Sequence, residues 1–275
     1  MADPINLSSS VRTNLLTLQR TSGFIADTQT RLSTGLRVNS ALDDAAAFFT
    51  AKALSDTATD FDALKSNIDL AISTIQTAID GIDAISELVN QAKGLASNAK
   101  ATGNTNERST LAVQFNELLG QINTIANDSS FNGTNLLQAT PDNLAVEFNT
   151  DNTSNLTITG LDSTTATSGI NIAVAANNFG LNANIDTALT AISSALTTLR
   201  SNASTMGSRN TILSTRLDFT ENLVNTLEGG TGKLTLADLN EESANLLALQ
   251  TRQQLGINSL ALAAQSERSI LALFG

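Results

Sequence analysis

The sequence predicts a mainly α-helical protein, a long antiparallel or coiled-coil helical rod with a small β-hairpin element in the middle of the chain. Apolar residues recur with a period near 3.5 along several long segments, and only two prolines interrupt the 275 residues. Leu, Ile and Ala supply most of the hydrophobic content, while the aromatic residues are limited to ten Phe. Helices with this periodicity pack at small crossing angles, which favours a slender bundle.

The first apolar stripe predicts an N-terminal helix within residues 1–40. Its members alternate four and three positions apart: Val11, Leu15, Leu18, Ser22, Ile25, Gln29 and Leu32. Residues 41–140 contain two further stripes, Ile68, Ile72, Ile75, Ile79, Ile82, Ser86 and Val89, then Leu111, Phe115, Leu118, Ile122 and Ile125. Residues 183–232 contain Ile185, Ala188, Ile192, Ala195 and Leu199, continued loosely by Met206, Ile212, Phe219 and Leu223. Each stripe predicts one face of a long amphipathic helix.

The character of the chain changes in residues 141–182. Short alternating runs, LAVEF (144–148), NLTIT (155–159) and INIAVA (170–175), are separated by Asn, Asp, Gly, Ser and Thr. This pattern predicts small strands joined by turns, with an exposed tip at residues 149–169.

The GGTGK segment at residues 229–233 predicts a break before a last helix in residues 233–275. One stripe of that helix contains Leu246, Leu249, Leu260, Ala263, Ile270 and Phe274, and Leu255, Ile257, Leu262, Leu271 and Leu273 occupy neighbouring faces. A helix that is apolar on several faces must be covered on several faces. Periodicity leaves two explanations open: packing inside the chain's own bundle, or burial by other copies of the chain.

The stretch RLSTGLRVNSALDDAAAFF (31–49) contains the adjacent carboxylates Asp43 and Asp44. Adjacent helical side chains point about 100° apart, so the two are badly placed to share a proton or a metal ion. Ser40 followed by Asp43 fits the pattern of a helix cap, and acidic residues favour the N-terminus of a helix. We therefore interpret the pair as the start of a helix, and we interpret Glu241 and Glu242 in the same way.

The composition argues against several functions. A net charge of −11 disfavours binding to nucleic acid, and no apolar run is long enough for membrane insertion. The absence of His and Cys excludes Ser/His/Asp and Cys/His catalysis, so we predict no catalytic residue, cofactor or metal. The N-terminal MADPINLSSS lacks the pattern of a cleaved secretory signal. We expect either a cytosolic protein or one exported with its N-terminus intact.

Three motifs resemble those of bacterial flagellins. RLSTGLRVNSALDDAAAF (31–48) resembles the N-terminal signature of that family, FNGTNLL (131–137) resembles its motif after the third helix, and RQQLGINSLALAAQSERSILALFG (252–275) resembles its C-terminal helix. The motifs occur in the family's order, and the resemblance covers most of the chain outside residues 141–180.

The resemblance implies a short flagellin without large outer domains. In that family the terminal helices form the inner core of a filament, which favours burial between copies over packing within the bundle. The implied polymerisation residues are Val11, Leu15, Leu18, Ile25, Leu32, Leu246, Leu249, Leu260, Ile270, Leu273 and Phe274. The connector is implied to contain Arg31, Gly35, Arg37, Ser40, Asp43 and Asp44, with the two arginines as candidates for contacts between subunits.

The resemblance also implies partners and a location. These are other copies of the chain, an export chaperone at residues 236–275, the junction and cap proteins of the flagellum, and a position in the extracellular filament. In NQAKGLA (90–96), the family's receptor and interface segment, Gln91 occupies an expected Arg position and Gly94 an expected Glu position. Gln114 occupies another expected Glu position, so we predict weak or no activation of animal innate receptors.

Three other functions agree with part of the sequence. A hook–filament junction protein has similar ends but resembles RVNSALDDAA less closely. A coiled-coil adaptor explains the heptads but not three ordered motifs, and an enzyme has no catalytic constellation to support it.

Overall fold

The structure is a computed structural model that describes residues 9–274, apart from the side chains at positions 267 and 270–274. Its helices are α1 (Ser9–Thr34), α2 (Ala45–Ala101), α3 (Thr105–Asp128), α4 (Asn182–Thr235) and α5 (Leu239–Phe274). Its strands are β1 (Ser130–Phe131), β2 (Thr134–Asn135), β3 (Asn143–Glu147) and β4 (Asn155–Thr159), and a short 3₁₀ turn covers Ala176–Phe179. The predicted mainly helical fold with a small β element is confirmed.

The described chain divides into two compact units, one formed by residues 9–57 with residues 226–274 and the other by residues 58–225. In the first unit α1 and α5 lie side by side, and their connecting segments meet at an antiparallel bridge between Leu36 and Leu236. The division of the chain into five segments that the sequence suggests is not tested by these units and stays a prediction.

The second unit contains a continuous apolar core made by α2, α3 and α4. The predicted stripes supply much of it, and Ile68, Ile75, Phe115, Ile122 and Ile192 are all fully buried. The ring of Phe179 packs against that of Phe115 with 5.2 Å between the centroids, edge to face. The heptad pattern therefore identified the core-facing side of α2, of α3 and of the first part of α4.

Two hairpins follow α3. The first, β1–β2, turns at Asn132 and Gly133, whose φ angles of 49° and 81° are the left-handed values that a tight two-residue hairpin requires. The second, β3–β4, pairs Asn143 with Thr159 and Glu147 with Asn155, and it buries Val146 and Ile158 on one face. The second hairpin is the one that LAVEF and NLTIT predict.

The predicted strand at INIAVA is wrong. Residues 170–175 lie outside the strands, although Ile170 and Ile172 are buried while Asn171 and Ala173 are exposed, as an alternating segment should be. The backbone N–H groups bond elsewhere: Ala175 donates to Oδ1 of Asn116 on α3 at 2.8 Å, and Ile172 donates to the carbonyl of Thr165. The side chains of this segment thus alternate between buried and exposed although the segment does not pair with a strand.

The predicted helix break at GGTGK is also wrong, because residues 229–233 lie inside α4. Thr231 donates its hydroxyl to the carbonyl of Leu227, and it lies 3.4 Å from the carbonyl of Ala51 on α2. A Cβ at Gly230 would lie at an ordinary contact distance of 3.4 Å from Leu54 on α2, and a Cβ at Gly229 would meet nothing within 4 Å. The break comes later, at residues 236–238, where Asp238 accepts hydrogen bonds from the N–H groups of Asn240 and Glu241.

The loose continuation of the fourth stripe is wrong in part. Met206 is buried, but Ile212 is 41% exposed and Phe219 is 60% exposed, whereas Leu213 and Val224 are buried. The core-facing side of α4 is therefore rotated by one residue from the predicted side over this stretch.

Candidate functional site

The pairing of α1 with α5 brings most of the predicted polymerisation residues together. Buried and half-buried positions form a seam, defined on α1 by Val11, Asn14, Leu18, Thr21, Ile25, Thr28 and Leu32, and on α5 by Leu246, Leu249, Gln253, Gly256, Leu260 and Ala263. These positions alternate three and four apart on both helices, as expected of a coiled-coil contact. Leu15 lies off the seam at 41% exposure, and the side chains of Ile270, Leu273 and Phe274 lie outside the described residues.

The same two helices leave large apolar side chains uncovered. Their members, called here the exposed apolar set, are Leu15, Leu16 and Phe24 on α1 and Leu239, Leu247, Leu255, Ile257 and Leu262 on α5. Their exposed fractions range from 41% for Leu15 to 67% for Leu247 and Leu262. The seam covers one face of each helix, and the described residues leave these apolar side chains exposed on the other face.

The connector after α1 is held against the end of α4. Gly35 has a φ of 71°, and its carbonyl accepts a hydrogen bond from the N–H of Ala237. The side chain of Arg37 donates to the carbonyl of Leu234 at 2.9 Å, and its backbone N–H donates to the carbonyl of Thr235. In this structure Arg37 is therefore used within the chain.

Arg31 also has a partner within the chain. Its Nη1 lies 3.2 Å from Oε1 of Glu242, whose residue is only 8% exposed. Glu242 was predicted as part of an acidic helix start, which its position in the first turn of α5 confirms. Arg31 lies in the last turn of α1 and Glu242 in the first turn of α5, and the sequence reasoning did not predict that the two would pair.

Asp43 and Asp44 act separately at the start of α2. Asp44 accepts a hydrogen bond from the N–H of Ala47, which is the capping contact of a helix that begins at Ala45. Asp43 accepts from the N–H groups of Asn39 and Ser40 and from the Ser40 hydroxyl. These bonds, above all the one from the Ser40 backbone, hold the pKa of the Asp43 carboxyl below its ordinary value. The capping function is thus divided between the two residues.

The three predicted receptor-segment positions meet in one open groove between α2 and α3. Gln91 and Gly94 line it from α2, and Gln114 and Glu117 line it from α3. Among these four side chains only Glu117 carries a charge. Among the described residues, no group of three or more His, Cys, Asp or Glu could hold a metal ion. None of the described helices is both long enough and apolar enough to cross a bilayer.

Comparison with known proteins assigns the family. The model of the bacterial flagellin N-terminal helical region matches residues 5–142, and that of the C-terminal helical region matches residues 189–274. The chain belongs to the bacterial flagellin family. It is a structural protein of the flagellar filament, and this family is not one of enzymes.

Similar flagellins match along almost the whole chain. Flagellin FljM of Caulobacter vibrioides is 35% identical over 277 residues, which cover 98% of each chain, and a flagellin of Brucella melitensis is 31% identical over 97% of each chain. A crystal structure of Bacillus cereus flagellin matches with a TM-score of 0.49 and 21% identity, covering 56% of this chain and 88% of that one. The segment from 143 to 188, which contains the second hairpin, lies between the two matched regions of this flagellin.

Proposed function

We propose that this flagellin polymerises with copies of itself through the terminal helices α1 and α5, and that the exposed apolar set is the surface that other copies cover. The observation that supports this proposal is that α1 and α5 already bury one face against each other and, among their described side chains, still expose eight large apolar ones. Covering such a side chain stabilises an assembly by roughly 1.5–3 kcal/mol when burial is complete. Repetition of that contact along a filament supplies a driving force that a single chain lacks.

Substitutions on the exposed face of α5 test this assignment. Leu255 and Leu262 are seven residues apart on one face, at 63% and 67% exposure. We expect L255N/L262N to raise the critical concentration for polymerisation by at least on the order of a hundredfold, because two apolar contacts are lost at each interface. Sedimentation of polymer from purified chain, with electron microscopy of the pellet, measures the effect.

The neighbouring positions provide a matched control. Gln254 and Ala261 are also exposed and seven residues apart, so Q254N/A261N introduces the same two side chains into the same helical turns. We expect the control variant to polymerise close to the unaltered chain. Equal loss of polymer in both variants would assign the effect to helix propensity and would contradict the role of the exposed apolar set.

Partners beyond the chain itself follow from the same surface. We propose that an export chaperone covers residues 236–275 before assembly, since an exposed apolar helix face invites aggregation while the chain is free. We also propose that the junction and cap proteins of the flagellum contact the filament ends, and that the chain reaches the filament by export without signal-peptide cleavage. Gln91, Gly94 and Gln114 stay a predicted cause of weak receptor activation.

A further inference from the structure

Arg31 and Glu242 form an ion pair at one end of the seam. The distance between Arg31 Nη1 and Glu242 Oε1 is 3.2 Å, and the two side chains are 40% and 10% exposed. Arg31 lies in the last turn of α1 and Glu242 in the first turn of α5, so each charge also has the sign that its own helix terminus favours. Because the carboxylate is nearly buried, separating it from the guanidinium is costly.

The rest of the seam specifies the register poorly. The contact of Leu18 with Gly256 shows the observed register, since a Cβ on Gly256 would lie 3.1 Å from a Leu18 methyl. A slip of α5 by one heptad still leaves the five α1 seam positions from Leu18 to Leu32 facing α5 seam positions. Leu18 would then face Ala263, which is also small, and Gly256 would face Ile25. Apolar packing therefore tolerates both registers.

The ion pair distinguishes the two registers, in addition to the backbone contacts of the connector, where Gly35 accepts from Ala237 and Leu36 pairs with Leu236. In the slipped register Arg31 would face Leu249, and Glu242 would lie beyond Thr34, the last residue of α1. Both charges would lose their partner, which is the kind of penalty by which a polar group in a coiled coil selects one alignment. A heptad slip would also move the α5 part of the exposed apolar set by about 10 Å relative to Leu16 and Phe24 on α1.

We propose that the Arg31–Glu242 pair sets the register of α1 against α5, and thereby the pattern of apolar side chains that a second copy of the chain meets. This inference rests on the proposed function for its consequence in assembly. The pair acts as a positioning element, because it fixes where other side chains lie without itself forming the exposed surface.

The absence of cysteine from the sequence permits a direct test of register in the full chain. The substitutions Thr21→Cys and Gln253→Cys place thiols at positions that face each other in the observed register. Thr21→Cys with Leu260→Cys does so only after a one-heptad slip. Each cysteine pair is introduced into the unaltered chain, into R31Q/E242Q, which removes both charges, and into R31E/E242R, which exchanges them. All variants are then oxidised under polymerising conditions. Intrachain disulfides are separated by mass from those between chains.

We expect the unaltered pair and the exchanged pair to give the native-register disulfide almost alone. The uncharged variant should form the slipped disulfide more often, by on the order of tenfold, because the slip then costs only the connector contacts and no longer an ion pair. A matched control is K65Q/E221Q, which removes a pair of the same 3.2 Å length between α2 and α4. This control should leave both disulfides unchanged.

A slipped disulfide as rare in R31Q/E242Q as in the unaltered chain would overturn the inference. Absence of the native-register disulfide from the unaltered chain would overturn it as well, because no defined pairing of α1 and α5 would then exist. The inference and the proposed function can also be separated. If the unaltered chain forms the native-register disulfide but does not polymerise, and the uncharged variant forms the slipped disulfide, the inference is supported and the proposed function is contradicted.

Discussion

A single carboxylate, that of Asp43, closes the turn between the connector and α2. It accepts hydrogen bonds from two backbone N–H groups, at 3.1 Å from Asn39 and 2.9 Å from Ser40, and from the Ser40 hydroxyl at 3.1 Å. The neighbouring carboxylate of Asp44 instead accepts a hydrogen bond from the N–H of Ala47 and so caps the N-terminus of α2. Two adjacent aspartates thus have different roles, since Asp43 stabilises the turn before α2 and Asp44 caps α2.

The lowered pKa of Asp43 predicts how this turn responds to acid. Its folded pKa lies below the ordinary value of 3.8, so its contribution to stability is fully present above about pH 3.8 and is lost as the pH falls through the folded pKa. We expect an NMR titration of the Asp43 carboxyl to give a midpoint below 3.8. In Ser40→Ala the midpoint should rise toward that value, because the hydroxyl donor is lost while both backbone donors remain. A midpoint unchanged by Ser40→Ala would contradict the hydroxyl's part in the shift.

At the scale of elements, α2 shows how one helix uses glycines in two ways. Gly81 is buried where α2 meets the segment after α3, and an added Cβ would collide with the Ser129 side chain and lie 2.8 Å from a Leu137 methyl. Gly94 faces the open groove, and an added Cβ would meet nothing within 4 Å. The first glycine allows close packing, whereas the second only lowers helix propensity.

These two positions predict opposite responses to the same substitution. Gly81→Ala should reduce the free energy of unfolding by about 1–3 kcal/mol through overpacking. Gly94→Ala should increase it by about 0.5–1 kcal/mol, because the unfolded chain loses conformational freedom and the site has room. Urea unfolding of the monomer measures both. A gain in stability for Gly81→Ala would show that the contact with Leu137 relaxes freely.

At the scale of the whole molecule, coupling between folding and assembly is the main expectation. Ordering the backbone of one residue costs on the order of 1–2 kcal/mol of free energy. In a free chain the terminal helices leave an apolar face exposed, so the burial that would offset this cost is incomplete. We therefore expect roughly residues 1–40 and 236–275 to be cleaved readily in the free chain and protected in the polymer. Limited proteolysis followed by mass spectrometry compares the two states. Equal protection of these segments in both states would refute coupled folding. The rate of cleavage inside α3 serves as the internal reference in both samples.

The sequence by itself determined the helical class, the core-facing stripes of α2 and α3, the β3–β4 hairpin and the family, because heptad spacing, alternation and motif order are local properties of the chain. It also favoured a helix start over an active site as the role of the acidic pair. It did not determine the secondary structure of the INIAVA and GGTGK segments. Asn116 accepts a hydrogen bond from Ala175 in place of a partner strand, and the GGTGK segment lies within α4, where Thr231 contacts the carbonyl of Ala51 on α2.

Only the tertiary structure decided which apolar residues of the terminal helices face each other and which stay exposed. Leu15 and Leu18 are equally apolar in the sequence, yet Leu18 packs against Gly256 while Leu15 is 41% exposed. The same holds for Arg31, whose partner Glu242 lies 211 residues away along the chain. Periodicity defines a face only to within a residue or so, and the register between distant helices depends on contacts that no local pattern contains.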